Sequence, residues 1–152
     1  MKKVLCVLVA LLCLASSAVA APWRVFDNAG LFSKDDVAEI EQAITEFQIK
    51  TGFDFAVLTT DDYLGFKNES AIADSFYDAE KFGVGYYNSG MLYYIDMNQR
   101  VPYVSTTGEM IRIFDRVTNI KAHDACHPFL ASGEYKEAVL KMIECAAQAV
   151  ID

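Results

Sequence analysis

The spacing of apolar residues after Ser33 predicts a helix with one buried face. Four apolar residues recur at intervals of three and four positions: Val37, Ile40, Ile44 and Phe47. This spacing places them on one side of a helix. Ser33 is a favourable N-cap, and Asp36 three residues later can complete a capping box. We expect this helix to end at Thr51-Gly52, because glycine readily adopts the conformation of a C-cap.

The segment from Phe53 to Thr60 is a nearly continuous run of apolar, aromatic and β-branched residues. Such a run is typical of a strand that is buried on both faces. Asn68 is then a favourable N-cap for a second helix. The apolar face of this second helix is formed by Ile72, Phe76 and Ala79.

A glycine-rich loop from Gly83 to Gly90 stops the second helix and leads into a predicted strand, Met91 to Asp96. A strand, a helix and a strand at this spacing predict a parallel pair of strands. Met97 to Arg100 is turn-like, so we expect Pro102 to Thr106 to return as an antiparallel strand. Proline has no amide hydrogen for a sheet, which favours an edge or a bulge at this point.

Two more helices complete the predicted pattern. The first runs onward from Glu109, and its expected inward face is Ile111, Phe114, Val117 and Ile120. The second begins at Ser132 or Gly133, and its expected core residues are Val139, Met142, Ile143 and Val150. The whole pattern predicts one α/β domain, an α/β/α sandwich with helices on both faces of a mixed central sheet. That sheet is expected to be mostly parallel, with an antiparallel edge strand.

Residues 1–20 have the features of an export signal. Lys2 and Lys3 give a positive start, Val4 to Leu14 is a short apolar run, and Ala18-Val19-Ala20 is a cleavage site of small residues. We therefore expect a mature domain over residues 21–152, located in the periplasm or outside the cell. No later apolar run reaches membrane-spanning length, so we expect no stable membrane insertion after cleavage.

The charge of the chain bears on its partners. The full sequence carries a net charge of −8 at pH 7, and the loss of Lys2 and Lys3 takes the mature chain to −10. A chain this acidic has no electrostatic attraction for nucleic acid, so we expect no nucleic-acid partner. It can attract cations and basic protein surfaces. The composition does not indicate an oligomeric state.

Two cysteines, Cys126 and Cys145, remain in the mature chain. An even number of cysteines in an oxidising compartment favours pairing, so we expect a disulfide between them. His123 and His127 flank Cys126 at a spacing that could place zinc ligands on one helical turn. Pro128 follows directly and predicts that the helix ends there, so the sequence favours the disulfide over a zinc site.

Five segments of the mature chain recur together in one family. They are Val25–Ser33, Thr51–Val57, the Gly83-x-Gly85 loop with Asn88-Ser89-Gly90, Ser105–Gly108 and Ser132–Tyr135. In their order and spacing they resemble the TPM domain, which occurs in thylakoid-lumen acid phosphatase and photosystem II repair proteins and in many bacterial envelope proteins. The resemblance covers nearly all of the mature chain.

The resemblance implies an α/β/α sandwich with an acidic cleft at the strand ends. It implies a divalent cation there, and we favour calcium over magnesium or manganese. Calcium is bound in proteins mostly by carboxylate and carbonyl oxygens. By position, the expected metal ligands are Asp27, Asp61, Asp62, Asn88 and Asp115. The expected binding loop consists of Gly83, Gly85, Tyr86, Tyr87, Ser89, Gly90, Thr107 and Gly108.

Two functions fit these residues. The first is a non-enzymatic module that binds a divalent cation and an envelope or extracellular protein, since aromatic residues such as Tyr86 and Tyr87 are enriched at interfaces. The second is a metal-dependent phosphatase in which Asp115 or Glu109 helps a metal-bound water to attack a phosphoester. The sequence contains no Gly-x-Ser-x-Gly nucleophile motif, and it favours the first function.

Overall fold

The computed structural model describes residues 23–62 and 68–152, so the predicted export signal at residues 1–20 lies outside the described residues. The elements in chain order are β1 Val25–Asp27, α1 Lys34–Thr51, β2 Asp54–Thr60, α2 Glu69–Ala79, β3 Gly90–Asp96, β4 Val101–Thr107, α3 Met110–Ile113, α4 Arg116–Ser132 and α5 Tyr135–Ile151. The predicted α/β class is confirmed. The apolar pattern missed one strand, β1, because it is only three residues long. No helix in the described ranges is long and apolar enough to cross a bilayer.

The four strands form one mixed sheet in the order β1-β2-β3-β4. β1 pairs with β2 in parallel, and β2 pairs with β3 in parallel over its whole length, from Asp54 opposite Gly90 to Thr60 opposite Asp96. β4 returns antiparallel to β3 and forms an edge. The predicted antiparallel edge strand is therefore confirmed, and Pro102 lies in it.

Alternating residues of the strands build two cores on opposite faces of the sheet, as the period of two in a strand requires. Phe55, Val57 and Tyr93 face the larger core, which is covered by α1, α4 and α5. Leu58 and Tyr94 face the smaller core, which is covered by α2. The sheet thus has helices on both faces, as predicted.

The capping residues predicted for the first two helices are also confirmed. The Ser33 side chain accepts a hydrogen bond from the Asp36 amide, and the Asp36 side chain accepts one in return from the Ser33 amide. α1 ends at Gly52, whose φ of 75° is left-handed. Asn68 caps α2 by accepting from the Ala71 amide.

The predicted inward face of the helix after Glu109 is wrong at three of its four residues, and only Phe114 is buried as predicted. Ile111, Val117 and Ile120 are 60%, 58% and 50% exposed. The backbone leaves the helical region at Phe114, and the Asp115 side chain caps a new helix, α4. This break resets the helical phase, so a period counted across it assigns the wrong side to the core.

α4 buries Ala122 and Cys126 instead, and it continues through Pro128 to Ser132. The prediction that the helix ends at Pro128 is therefore also wrong. A proline inside a helix removes one backbone hydrogen bond. Packing of α4 against α5 and the sheet outweighs this local cost, as tertiary contacts commonly do for helices.

Candidate functional site

The loop from Gly83 to Ser89 joins α2 to β3 and is anchored at its base by Asp54. This carboxylate is 1% exposed. Its Oδ1 accepts hydrogen bonds from Arg24 Nε at 2.8 Å, from Gln48 Nε2 at 2.7 Å and from the amide of the next residue, Phe55, at 3.0 Å. Its Oδ2 accepts from the Gly83 amide at 2.8 Å. A buried charge is stable only when it is paired and hydrogen-bonded, and Asp54 meets both conditions.

Inside the loop, the backbone closes on itself. The Val84 amide donates to the Ser89 carbonyl at 3.0 Å, and the Ser89 amide donates to the Val84 carbonyl at 2.8 Å. Asn88 between them has a left-handed φ of 49°. Its carbonyl accepts from the hydroxyls of Tyr77 and Thr107. Burial raises the pKa of Tyr77 to about 12, which keeps this hydroxyl protonated as a donor.

Three glycines around the loop leave no room for a side chain. A Cβ on Gly83 would overlap the Asn88 backbone, and Gly83 also has a left-handed φ of 101°. A Cβ on Gly90 would lie 2.8 Å from the Asp54 carbonyl oxygen and against the Tyr77 hydroxyl. A Cβ on Gly108 would lie 2.7 Å from the Tyr87 carbonyl oxygen. The backbones of this loop and of the β4 end therefore approach each other closely, which only glycine permits.

The tip of this tightly held loop is aromatic and exposed. The side chains of Tyr86 and Tyr87 are 92% and 66% exposed. Their ring centroids lie 5.0 Å apart with the planes at 87°, an edge-to-face arrangement. We call Tyr86 and Tyr87 the aromatic tip. Beside it, Ser89 Oγ accepts from the Glu109 amide at 3.1 Å, which joins the loop to the segment after β4.

The structure places Asp27 at the other end of the sheet, where β1 ends. Its Oδ1 accepts from the Leu31 amide at 2.9 Å and from Thr59 Oγ1 at 2.5 Å. Its Oδ2 accepts from the Phe32 amide at 2.9 Å. The carboxylate thus organises the turn between β1 and α1.

The remaining predicted ligands do not gather at one place. Asp61 and Asp62 are exposed at the end of β2, near Asp27. Asn88 precedes β3, and Asp115 follows the end of β4. Because β2 and β3 are parallel over seven residues, these two groups lie about 20 Å apart along the strands.

Asp115 accepts from the Thr118 amide as the N-cap of α4, and this hydrogen bond holds the pKa of its carboxyl below the ordinary value. Over residues 23–62 and 68–152, no three His, Cys, Asp or Glu side chains are placed to hold a metal ion together. The predicted ligand set therefore does not fit one shared ion. The predicted catalytic residue Glu109 is exposed beside the loop, at the same end as Asn88.

The two cysteines are free thiols, so the predicted disulfide is not formed in this structure. Cys126 Sγ lies 3.4 Å from the Ala138 carbonyl oxygen. Burial raises the pKa of Cys126 to about 12.

Several residues that build the loop were not anticipated from the sequence. Arg24 lies 30 residues from Asp54 in the chain and Gln48 lies six residues from it. From the sequence, Asp54 is predicted only as part of a buried strand. One signal was present: a charged residue at the start of an otherwise apolar strand needs a partner, because burying it alone is costly. The sequence does not indicate which basic side chain pairs with Asp54.

The comparisons with known proteins agree with this fold. The family model of the TPM domain matches residues 25–149. A search of curated proteins finds no match. Three similar solved structures, all determined by NMR, share the fold at low identity.

The N-terminal domain of the cg2496 protein from Corynebacterium glutamicum is 16% identical, covers 89% of this chain and 84% of its own, and has a TM-score of 0.67. The BA42 protein from Bizionia argentinensis is 14% identical, with coverages of 78% and 81% and a TM-score of 0.69. The N-terminal domain of a protein from P. gingivalis is 21% identical, with coverages of 82% and 80% and a TM-score of 0.69. The match of the family model over most of the chain, on a fold shared with these structures, shows that this protein belongs to the TPM domain family.

Proposed function

We propose that this chain is a non-enzymatic binding module of the cell envelope or extracellular space, and that it docks to another protein through Tyr86 and Tyr87. The observation that supports this proposal is that two tyrosines, 92% and 66% exposed, stand on a loop whose base is held by hydrogen bonds. Large aromatic side chains are costly to leave in water, and they dominate the binding energy of protein interfaces.

The rigidity of the loop supports binding because ordering a flexible loop costs free energy when a complex forms. Here the order is present before binding. The Val84–Ser89 pair, the Asn88 carbonyl and the Gly83 amide all have hydrogen-bond partners. A tyrosine has only two side-chain torsions to fix, so a tyrosine pair on such a base loses little entropy on binding.

The positions of the predicted metal ligands argue against the alternative function, a phosphatase that uses a metal-bound water. A phosphatase that uses a metal-bound water needs several ligands around one ion. The predicted ligands lie at two ends of the sheet, and Asp27 already accepts three hydrogen bonds. Binding of a cation, calcium in the first place, at one end of the sheet by itself stays a prediction. Phosphoester turnover also stays a prediction.

The experiment is site-specific photocrosslinking in the native host. A benzoylphenylalanine is placed at Tyr86, and a matched control is placed at Val101, which is 38% exposed at the opposite end of the sheet. We expect a discrete crosslinked protein from position 86 and none from position 101. Excess purified wild-type domain should abolish this adduct, whereas the Tyr86→Ser/Tyr87→Ser variant should not compete.

Equal labelling from both positions, or full competition by the double variant, would show that the aromatic tip is not the docking site. Calorimetric titration of the same purified domain with Ca²⁺, Mg²⁺ and Mn²⁺ checks the cation prediction. Phosphoester turnover that requires one of these ions and disappears in Glu109→Ala would favour the phosphatase over the binding module.

A further inference from the structure

We propose that Arg24 and Asp54 form a latch that sets the conformation of the Gly83–Ser89 loop, so that the seating of the N-terminal strand controls the aromatic tip. Arg24 and Asp54 are positioning residues in this proposal, since neither lies at the tip. The proposal rests on the proposed function for its biological meaning, but the latch itself is measured independently of any partner.

The two oxygens of Asp54 face different parts of the molecule. Oδ1 is directed to Arg24, which directly precedes β1, and to Gln48 at the end of α1. Oδ2 accepts from the Gly83 amide, the first residue of the loop. One buried carboxylate therefore links the N-terminal strand and the first helix to the loop that carries the tyrosines.

Both the backbone and the side chain of Arg24 are held in place. Its backbone amide and that of Val25 donate to Glu41 Oε1, each at 2.8 Å, which ties the start of β1 to α1. The centre of its guanidinium lies 5.0 Å from the ring centroid of Phe82, the residue that precedes the loop. Arginine over an aromatic face gains a cation–π attraction. Arg24 therefore contacts the residue before the loop directly and is linked to Gly83 through Asp54.

Charge makes the latch depend on Arg24. Among the described residues, Arg24 is the one cation in an ion pair with Asp54. If this cation is removed, a carboxylate at 1% exposure is left without its counter-charge. A buried charge that loses its partner becomes hydrated or protonated, and both changes disturb its remaining hydrogen bonds. The Gly83 amide is one of those donors.

The loop is the part that should respond first. Both tyrosines and Asn88 are exposed, so the loop is held mainly by hydrogen bonds rather than by apolar packing. These bonds lie at Gly83, between Val84 and Ser89, and at the Asn88 carbonyl. Segments with few buried contacts open locally, without global unfolding. β3, by contrast, is buried over all seven of its residues.

The test is amide hydrogen exchange by NMR on the full mature domain. Arg24→Met keeps the apolar stem of the side chain and removes its charge. We expect exchange at Gly83, Val84 and Ser89 to accelerate at least tenfold relative to Leu92 in β3. Arg24→Lys keeps the positive charge but lacks the planar guanidinium, so it should accelerate exchange of the loop amides to an intermediate extent.

The matched control is Lys136→Met, which removes a cation that is paired with Asp36, Glu39 and Glu137 on the surface. This control should leave the ratio of loop to β3 exchange unchanged. If Arg24→Met leaves the ratio unchanged, or accelerates loop and strand by the same factor, the pair is only a stabilising contact and the latch is refuted. Should Arg24→Met not fold, Asp54→Asn gives the same readout.

The two proposals fail in different ways. If Arg24→Met loosens the loop but wild-type protein gives no adduct from position 86, the latch stands and the docking proposal fails. If wild-type protein crosslinks and Arg24→Met changes neither the exchange ratio nor the adduct, the docking proposal stands and the latch fails. With both correct, Arg24→Met should reduce the crosslink yield severalfold.

Discussion

Replacing Asp27 by alanine separates a structural carboxylate from a metal ligand. In the wild-type protein this side chain accepts three hydrogen bonds, from the amides of Leu31 and Phe32 at 2.9 Å each and from Thr59 Oγ1 at 2.5 Å. All three hydrogen bonds are partly buried. The variant removes the acceptor and leaves the three donors in place.

The expected decrease in the free energy of unfolding follows from the loss of these three hydrogen bonds. A hydrogen bond to a charged group contributes about 1.5–3 kcal/mol, and its loss costs less where water can replace the acceptor. Both amides belong to half-buried residues, so water can replace part of each lost bond. At about 1 kcal/mol for each of the three bonds, the total loss in the free energy of unfolding is about 3 kcal/mol. For a domain of this size, that corresponds to a decrease of about 10 °C in Tm. Asp27→Asn keeps one acceptor oxygen and should lose about half as much.

The assay is urea unfolding followed by circular dichroism, in chelator and again in excess Ca²⁺. We expect the same loss in both conditions, because the hydrogen bonds need no ion. Asp61→Ala is the control, since its side chain is exposed at the end of β2, and it should change stability by less than about 0.5 kcal/mol. If Asp27→Ala is as stable as wild type in chelator and less stable only in Ca²⁺, then Asp27 acts as a metal ligand. The claim that its hydrogen bonds stabilise the fold would then be refuted.

Two further predictions concern the α4–α5 layer. Burial lowers the pKa of His123 below its ordinary value of 6.5, so the folded state resists protonation. Stability should be constant above about pH 6.5 and should fall as the pH drops through the lowered folded-state pKa. His123→Gln should flatten this dependence in urea titrations, whereas His127→Gln should retain it. In native protein, a thiol reagent should modify Cys145 well before Cys126, because Cys126 is fully buried and burial raises its pKa to about 12. Mass spectrometry of denatured, unreduced protein should find two thiols, and a bridged species would restore the disulfide predicted from the sequence.

Local signals determined most of the elements. The Ser33–Asp36 capping box and the Asn68 cap act within one helical turn, and the Phe53–Thr60 run needs only its own composition to predict a strand. These signals depend on neighbours in sequence, so no tertiary information was required to find α1, α2 and β2. The parallel pairing of β2 with β3 followed because a helix connects them.

The tertiary structure decided which side of the helix after Glu109 is buried and how far apart the acidic residues lie. The Asp115 cap interrupts the helix after Glu109, and that break turned Val117 and Ile120 to solvent. The resemblance to the TPM domain implied one cleft for the acidic residues. A parallel pair of strands nevertheless has two distinct ends, and the chain places Asp27 at one and Asn88 at the other.

The sequence by itself determined that this chain is an acidic α/β domain with a glycine-rich loop that presents two tyrosines. It could not determine what holds that loop, because Arg24, Gln48 and Asp54 become neighbours only when β1, α1 and β2 assemble. Periodicity and capping are short-range properties of the chain, whereas the partner of a buried charge is chosen by the fold. For that reason, the tertiary structure alone decided which carboxylate organises the aromatic tip.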